Sequence, residues 1–155
     1  MATADDVDTY NKHAAELMRY ATVLVGPDDA ADVVADAVLA TFAARSWRDV
    51  ANRRAYLYRA VLNASSSHHR SSLRRRRRET TVASLAPTTA DAPVPAIDAH
   101  RALEQLSEQQ RAVVYLTYWE DQSPAQVADL LGVADGTVRK QLARARDHLR
   151  RILDV

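Results

Sequence analysis

The chain has 155 residues, with 21 Lys and Arg against 20 Asp and Glu, 47% apolar residues, three Gly, five Pro and no Cys. The missing cysteine excludes a disulfide framework, a thiolate metal site and a thiol nucleophile; an acidic start and short apolar runs argue against a signal peptide or membrane span, so a soluble cytoplasmic protein is expected. The formal net charge of +1 is unevenly spread: residues 70–78 hold six Arg and no acid, 100–135 two basic groups against six acidic, and 136–155 six basic against two acidic. Such local clusters, rather than the sum, set the field a polyanion meets.

The first part reads as helix throughout. Val7, Tyr10, Ala14, Leu17, Ala21 and Leu24 recur at spacings of three and four, giving one apolar face on a helix that stops before Gly26-Pro27. Asp28 and Asp29 favour the positive end of a second helix, whose stripe is Ala30, Val33, Val34, Ala37, Val38 and Phe42. A polar stretch from Trp47 to Asn52 leads into a third helix with Ala55, Leu57, Ala60, Val61 and Ala64 available for burial. The Arg run at 74–78 follows that helix as a phosphate-contacting cluster. His68 and His69 are adjacent, do not face one another on a helix, and have no carboxylate cluster beside them; no metal or cofactor site is expected.

Residues 80–98, with Pro87, Pro93 and Pro95 and no apolar period, have the composition of a flexible linker. The parts on either side are each near the lower size limit for an independent core, so each gains stability from a partner. The fold expected is all-α: two small helical domains, 1–79 and 99–155, joined by the linker at 80–98.

Beyond the linker, Leu103, Leu106, Val113, Val114 and Leu116 fit two short helices broken near Ser107. Ser123-Pro124-Ala125-Gln126 has the capping-box form with Pro at the first helical position. That helix buries Val127, Leu130 and Leu131 and exits through Gly132, with Asp135 capping the next helix. On this last helix Val138, Leu142, Ala145, Leu149 and Ile152 face inward, while Arg139, Lys140, Ala143, Arg144, Arg146, Arg150 and Arg151 cover the rest.

A short capped helix, a tight glycine turn and a longer helix with basic groups at its start describe a helix-turn-helix, whose second helix fits the DNA major groove. Arg150 and Arg151 are also accounted for by the negative end of the helix dipole. Arg139 and Lys140 lie near the positive end, where cations cost energy unless an external anion meets them.

The runs at 102–116 and 123–146, with Arg111, Gly136-Thr137-Val138 and Arg144-Ala145-Arg146, resemble region four of the extracytoplasmic-function sigma factors of the sigma-70 family. The front part is similar to region two: Asp29 to Asp36 matches the clamp-binding helix, and Tyr56-Leu57-Tyr58-Arg59 with Asn63 and Arg70 matches the promoter-melting helix. The resemblance implies that 99–155 reads the minus-35 element through Thr137, Arg139, Lys140, Ala143, Arg144 and Arg146. It implies that 1–79 captures the opened minus-10 strand through Trp47, Asn52, Arg53, Tyr56, Arg59, Asn63 and Arg70. Asp32, Val33, Ala35 and Asp36 would bind the polymerase. The implied partners are the beta-prime clamp and beta flap of core RNA polymerase, promoter DNA and an anti-sigma factor, with a monomer when free. The chain departs from the family at Ala35 in place of Gln, Tyr56 in place of Trp and Ser67 in place of Asp. No catalytic constellation is present in the sequence, and no enzyme activity is expected. The rival readings are a polymerase-independent helix-turn-helix regulator, which needs a dimer surface, and a sigma-like module that sequesters an anti-sigma factor or occupies core without initiating.

Overall fold

The computed structural model describes residues 2–82 and 99–153. Its elements are α1 (Ala4–Val25), α2 (Ala30–Ala43), a 3₁₀ turn (Arg45–Asp49), α3 (Arg53–Val82), α4 (Ala99–Glu104), α5 (Glu108–Tyr118), α6 (Pro124–Leu131) and α7 (Asp135–Leu153). No strand occurs among the described residues. None of their helices is long and apolar enough to cross a membrane.

Helices α1, α2 and α3 pack on one another around Leu17, Ala21, Leu24, Val33, Val34, Ala37, Leu57 and Val61, all buried. The apolar stripes of the sequence are therefore the packed faces, except at Val7, which is 47% exposed. α1 opens with a capping box: Thr3 Oγ1 accepts from the Asp6 amide, and Asp6 Oδ2 accepts from the Thr3 amide at 2.9 Å. Each interaction satisfies one donor that a helix start leaves unpaired.

The expected end of α3 is corrected. The helix runs through the Arg run to Val82, so Arg74 to Arg78 are exposed along it rather than after it, and residues 80–82 are helical. Thirty residues at 1.5 Å rise make a rod of about 45 Å. The remainder of the proposed linker, 83–98, lies outside the described residues.

The back half follows its local signals. Ser107 caps α5 and Ser123 caps α6, each paired reciprocally with a Gln three residues on. Gly132 takes the left-handed conformation at φ 70°, closing α6 by accepting a position that a side chain would strain. α7 begins at Asp135 itself, not after it: the Ala134 carbonyl receives the Thr137 and Val138 amides, and Asp135 lies in the first turn, where its charge favours the positive end.

The two halves are packed together through α1 on α5 and α3 on α6. Their buried side chains form one cluster, with the Tyr20 ring 6.2 Å from that of Tyr115. The partner that each small half lacks is the other half.

Candidate nucleic-acid and polymerase interfaces

On α7 the burial of Val138, Leu142 and Ala145 leaves Arg139, Lys140, Ala143 and Arg144 exposed on the opposite face. Thr137 is half-buried at the start of the same helix. Gln141 is held between Gln109 and Gln110 of α5, which fixes the helix against the bundle and its basic face outward. Arg146 is exposed but engaged: its Nε donates to the Tyr118 hydroxyl at 2.8 Å, and its guanidinium lies 5.8 Å from the Tyr118 ring centre. A projecting helix with cations in its first two turns matches the shape and donor pattern of the major groove.

In the front half a cleft of about 620 Å³ opens between α2 and α3. Three residues of the proposed strand-capturing set, Tyr56, Arg59 and Asn63, line it together, as does Asp36 from the proposed polymerase-binding set. Tyr56 is half-buried, with its ring 5.4 Å from that of Trp47, while Arg59 and Asn63 are exposed. An aromatic wall beside an amide is the chemistry that holds an unstacked base.

The other front-half residues are placed differently. Trp47 is corrected from a base contact to a core residue: it is 2% exposed, packs 5.8 Å from Phe42, and donates from Nε1 to Asp6 Oδ1 at 2.9 Å. Burying its ring in the packed bundle leaves no open face for a base. Asn52 accepts the Ala55 amide at 3.0 Å and so caps α3. Arg53 bonds Asp5 at 2.7 Å and covers the Trp47 ring at 5.0 Å. Arg70 is exposed farther along α3, 3.4 Å from the Ser67 hydroxyl.

On α2, Asp32, Ala35 and Asp36 share the exposed face, but Val33 is corrected to the core at 1% exposure, since it belongs to the inward stripe. Leu39, 68% exposed on the same side, was not among the expected residues. The signal was available, because Leu39 falls outside the 3.6-residue stripe that buries its neighbours.

Two charged centres organise this scaffold. Glu16 receives the Arg54 fork (Nε at 3.0 and 3.1 Å, Nη2 at 2.9 Å), the Tyr58 hydroxyl at 3.1 Å and a His13 contact at 2.7 Å. Burial raises its proton affinity, but these donors outweigh it and hold the carboxyl below its ordinary value. Burial pushes the Tyr58 hydroxyl up, and Tyr115 is pushed up to about 12 by burial and its bond to Glu120. Arg111 is 9% exposed, and burial lowers its proton affinity. It donates to the carbonyls of Leu103, Glu104 and Leu106 and, across the molecule, of Leu24 at 2.6 Å. His68 is 3.2 Å from Asp29. No three His, Asp or Glu side chains converge to hold a metal among the described residues.

The profile of Sigma-70, region 4 matches residues 97–149. The ECF RNA polymerase sigma factor SigM of Mycobacterium tuberculosis is 36% identical over 147 residues, covering 93% of this chain and 74% of the relative. SigL of the same organism is 36% identical over 154 residues, covering 91% and 84%. The solved structure of the sigma factor RpoE in complex with the anti-sigma factor NepR, from Bartonella quintana, matches in fold at a TM-score of 0.66, with 24% identity and 99% of both chains covered.

Proposed function

Because the chain belongs to the extracytoplasmic-function sigma factors, a family that acts with RNA polymerase in promoter recognition and transcription initiation, we propose that its two halves divide the promoter between them. Residues 99–155 read the minus-35 element as duplex: α7 enters the major groove, Arg139, Lys140 and Arg144 meet base edges and phosphates, and Ala143 offers apolar contact. Arg146, backed by Tyr118, meets a phosphate, and Thr137 the groove edge. Residues 1–79 open the minus-10 element and hold a base of the freed strand between Tyr56 and Asn63, with Arg59 and Arg70 on phosphates. The Arg run of α3 adds sequence-independent attraction, each neutralised phosphate contributing about 0.9 to the salt slope. Asn52 and Arg53 contribute indirectly, by fixing the start of α3. The residues between the halves act as the linker.

The exposed face of α2, with Asp32, Ala35, Asp36 and Leu39, grips the beta-prime clamp of core polymerase, and the back half meets the beta flap. An anti-sigma factor is the regulatory partner in this reading, since the similar RpoE is solved with one. The protein works in the cytoplasm and performs no chemistry of its own.

The observation that carries the proposal is the basic, outward-facing start of α7 on a packed helix-turn-helix. The test is transcription in vitro with purified core enzyme on a promoter library. Initiation at defined sites only when the protein is added is the expected result. Binding to DNA without core, as a dimer, would favour the polymerase-independent regulator instead.

A further inference from the structure

A tyrosine hydroxyl can both give and take hydrogen bonds, and those bonded here to charged side chains divide by direction. Tyr58 donates to Glu16 at 3.1 Å, and Tyr115 donates to Glu120 at 2.6 Å. Tyr118, the last residue of α5, only accepts: Arg146 of α7 reaches it with Nε at 2.8 Å and with Nη2 at 2.5 Å. Two incoming donors fill the acceptor side of the oxygen, and a guanidinium has no lone pair to offer in return. The phenolic proton therefore points away from Arg146, and no acceptor meets it among the described residues. Both side chains of the pair are exposed. Nε and one proton of Nη2 serve Tyr118, which leaves the Nη1–Nη2 edge of Arg146 as a second donor fork.

Arg146 follows Arg139 by seven residues, about two turns of α7, so the two lie along one flank of the helix. Tyr118 carries that flank over onto α5, whose end is fixed: the Trp119 amide closes on the Tyr115 carbonyl at 2.9 Å, and Gln141 ties α7 to Gln109 and Gln110. A lone O–H donor beside a guanidinium suits an anion, and the hydrogen bonds that the hydroxyl receives strengthen it as a donor. We propose that Tyr118 contacts DNA in its own right: its hydroxyl donates to a backbone phosphate that the free edge of Arg146 neutralises, so the duplex is met by α5 as well as by α7. This rests on the promoter reading above and adds a neutral contact to it, one that fixes the position of a phosphate without displacing a counterion.

Phosphate contacts carry no sequence information, so the probe is a fluorescein-labelled random-sequence duplex, titrated with the full chain and read by anisotropy across a salt series. Tyr118→Phe, which keeps the ring and removes the hydroxyl, should bind about fivefold more weakly with its salt slope unchanged. Arg146→Ala should lower the slope by about 0.9, and Tyr118→Phe added to it should weaken binding by less than it does alone, since the hydroxyl has already lost its support. In the chain carrying isotopically labelled tyrosine Cζ, the Tyr118 resonance, identified by its loss in Tyr118→Phe, should move as duplex is added. A Tyr118 signal that stays still at saturation overturns the contact, as does equal affinity of Tyr118→Phe. A slope that falls by about 0.9 in Tyr118→Phe overturns it too, because Tyr118 would then act only by aiming Arg146. Arg139→Ala separates this failure from that of the promoter reading: if it still weakens binding, the reading stands without Tyr118, and if it also changes nothing, α7 does not face DNA and both fall.

Discussion

The indole Nε1 of Trp47 donates to Oδ1 of Asp6 at 2.9 Å, tying the 3₁₀ turn to the first turn of α1 across 41 residues of chain. The Thr3 amide and this indole hold the Asp6 carboxyl below its ordinary value, and Glu16 is held low by its three partners against the effect of burial. A carboxylate depressed in the fold binds its proton more readily when unfolded. The stability it provides is therefore complete above the unfolded value and is lost as pH falls through the folded one. Denaturant midpoints should be flat near neutrality and decline below about pH 5. Glu16→Gln should lower stability at neutral pH by about 2 kcal/mol and make the acid decline shallower; an unchanged acid limb would contradict this.

Tyr20 is fully buried, and its hydroxyl has no hydrogen-bond partner among the described residues. A buried donor without an acceptor costs about 1–3 kcal/mol. Tyr20→Phe keeps the ring packed on Tyr58 at 4.8 Å and should raise stability by about 1 kcal/mol, or about 2–4 °C in Tm for a domain of this size. Calorimetry decides it, and a lower Tm would show that the hydroxyl is satisfied in solution.

Arg139→Ala or Arg144→Ala should weaken binding of a minus-35 duplex by about 1–3 kcal/mol and leave core binding intact. Both side chains are exposed and their removal disturbs no core packing. Fluorescence anisotropy on duplex and on core, compared for each variant, measures the split.

Asn63→Ala should spare the closed promoter complex and impair strand opening by the polymerase holoenzyme. Asn63 lines the cleft but is exposed, so the helix itself does not depend on it. Permanganate reactivity of the opened region reports the outcome, and equal reactivity would remove Asn63 from strand capture.

Leu39→Asp should weaken association with core polymerase by about tenfold or more, since a large exposed apolar side chain beside the Asp32–Asp36 face is exchanged for a charge that must be desolvated. The free protein should keep its stability. Surface plasmon resonance with immobilised core provides the measurement.

Features encoded by neighbouring residues were legible before the structure. The Ser123–Gln126 box, the Gly132 exit and the break at Ser107 each depend on atoms within a few residues, so composition and spacing suffice. The basic face of α7 followed from periodicity alone. Contacts between distant residues were not legible: nothing in the spacing of Arg111 and Leu24, 87 residues apart, announces that one caps the other. Trp47 in its polar local sequence fits a core residue as well as a base contact, and the distant partner that holds it in the core, Asp6, has no signal in the spacing. Val33 could be read in two ways, as part of an inward stripe and as part of an interface, and burial of the stripe decides between them. α3 outruns its apolar pattern because Arg is a good helix former, so exposed arginines need no buried face to continue a helix already nucleated on the core.

The unbroken course of α3 makes it a ruler. Asn63 and the first Arg of the run, Arg74, are 11 residues apart on one helix and so share a face, and at 1.5 Å per residue they stand about 16 Å apart. A single strand advances about 3.4 Å per nucleotide in duplex geometry, so the interval corresponds to about five nucleotides. A base seated beside Asn63 would thus be accompanied by backbone held at a set remove, and one glycine or proline inserted between the two would uncouple the gauge without touching either contact.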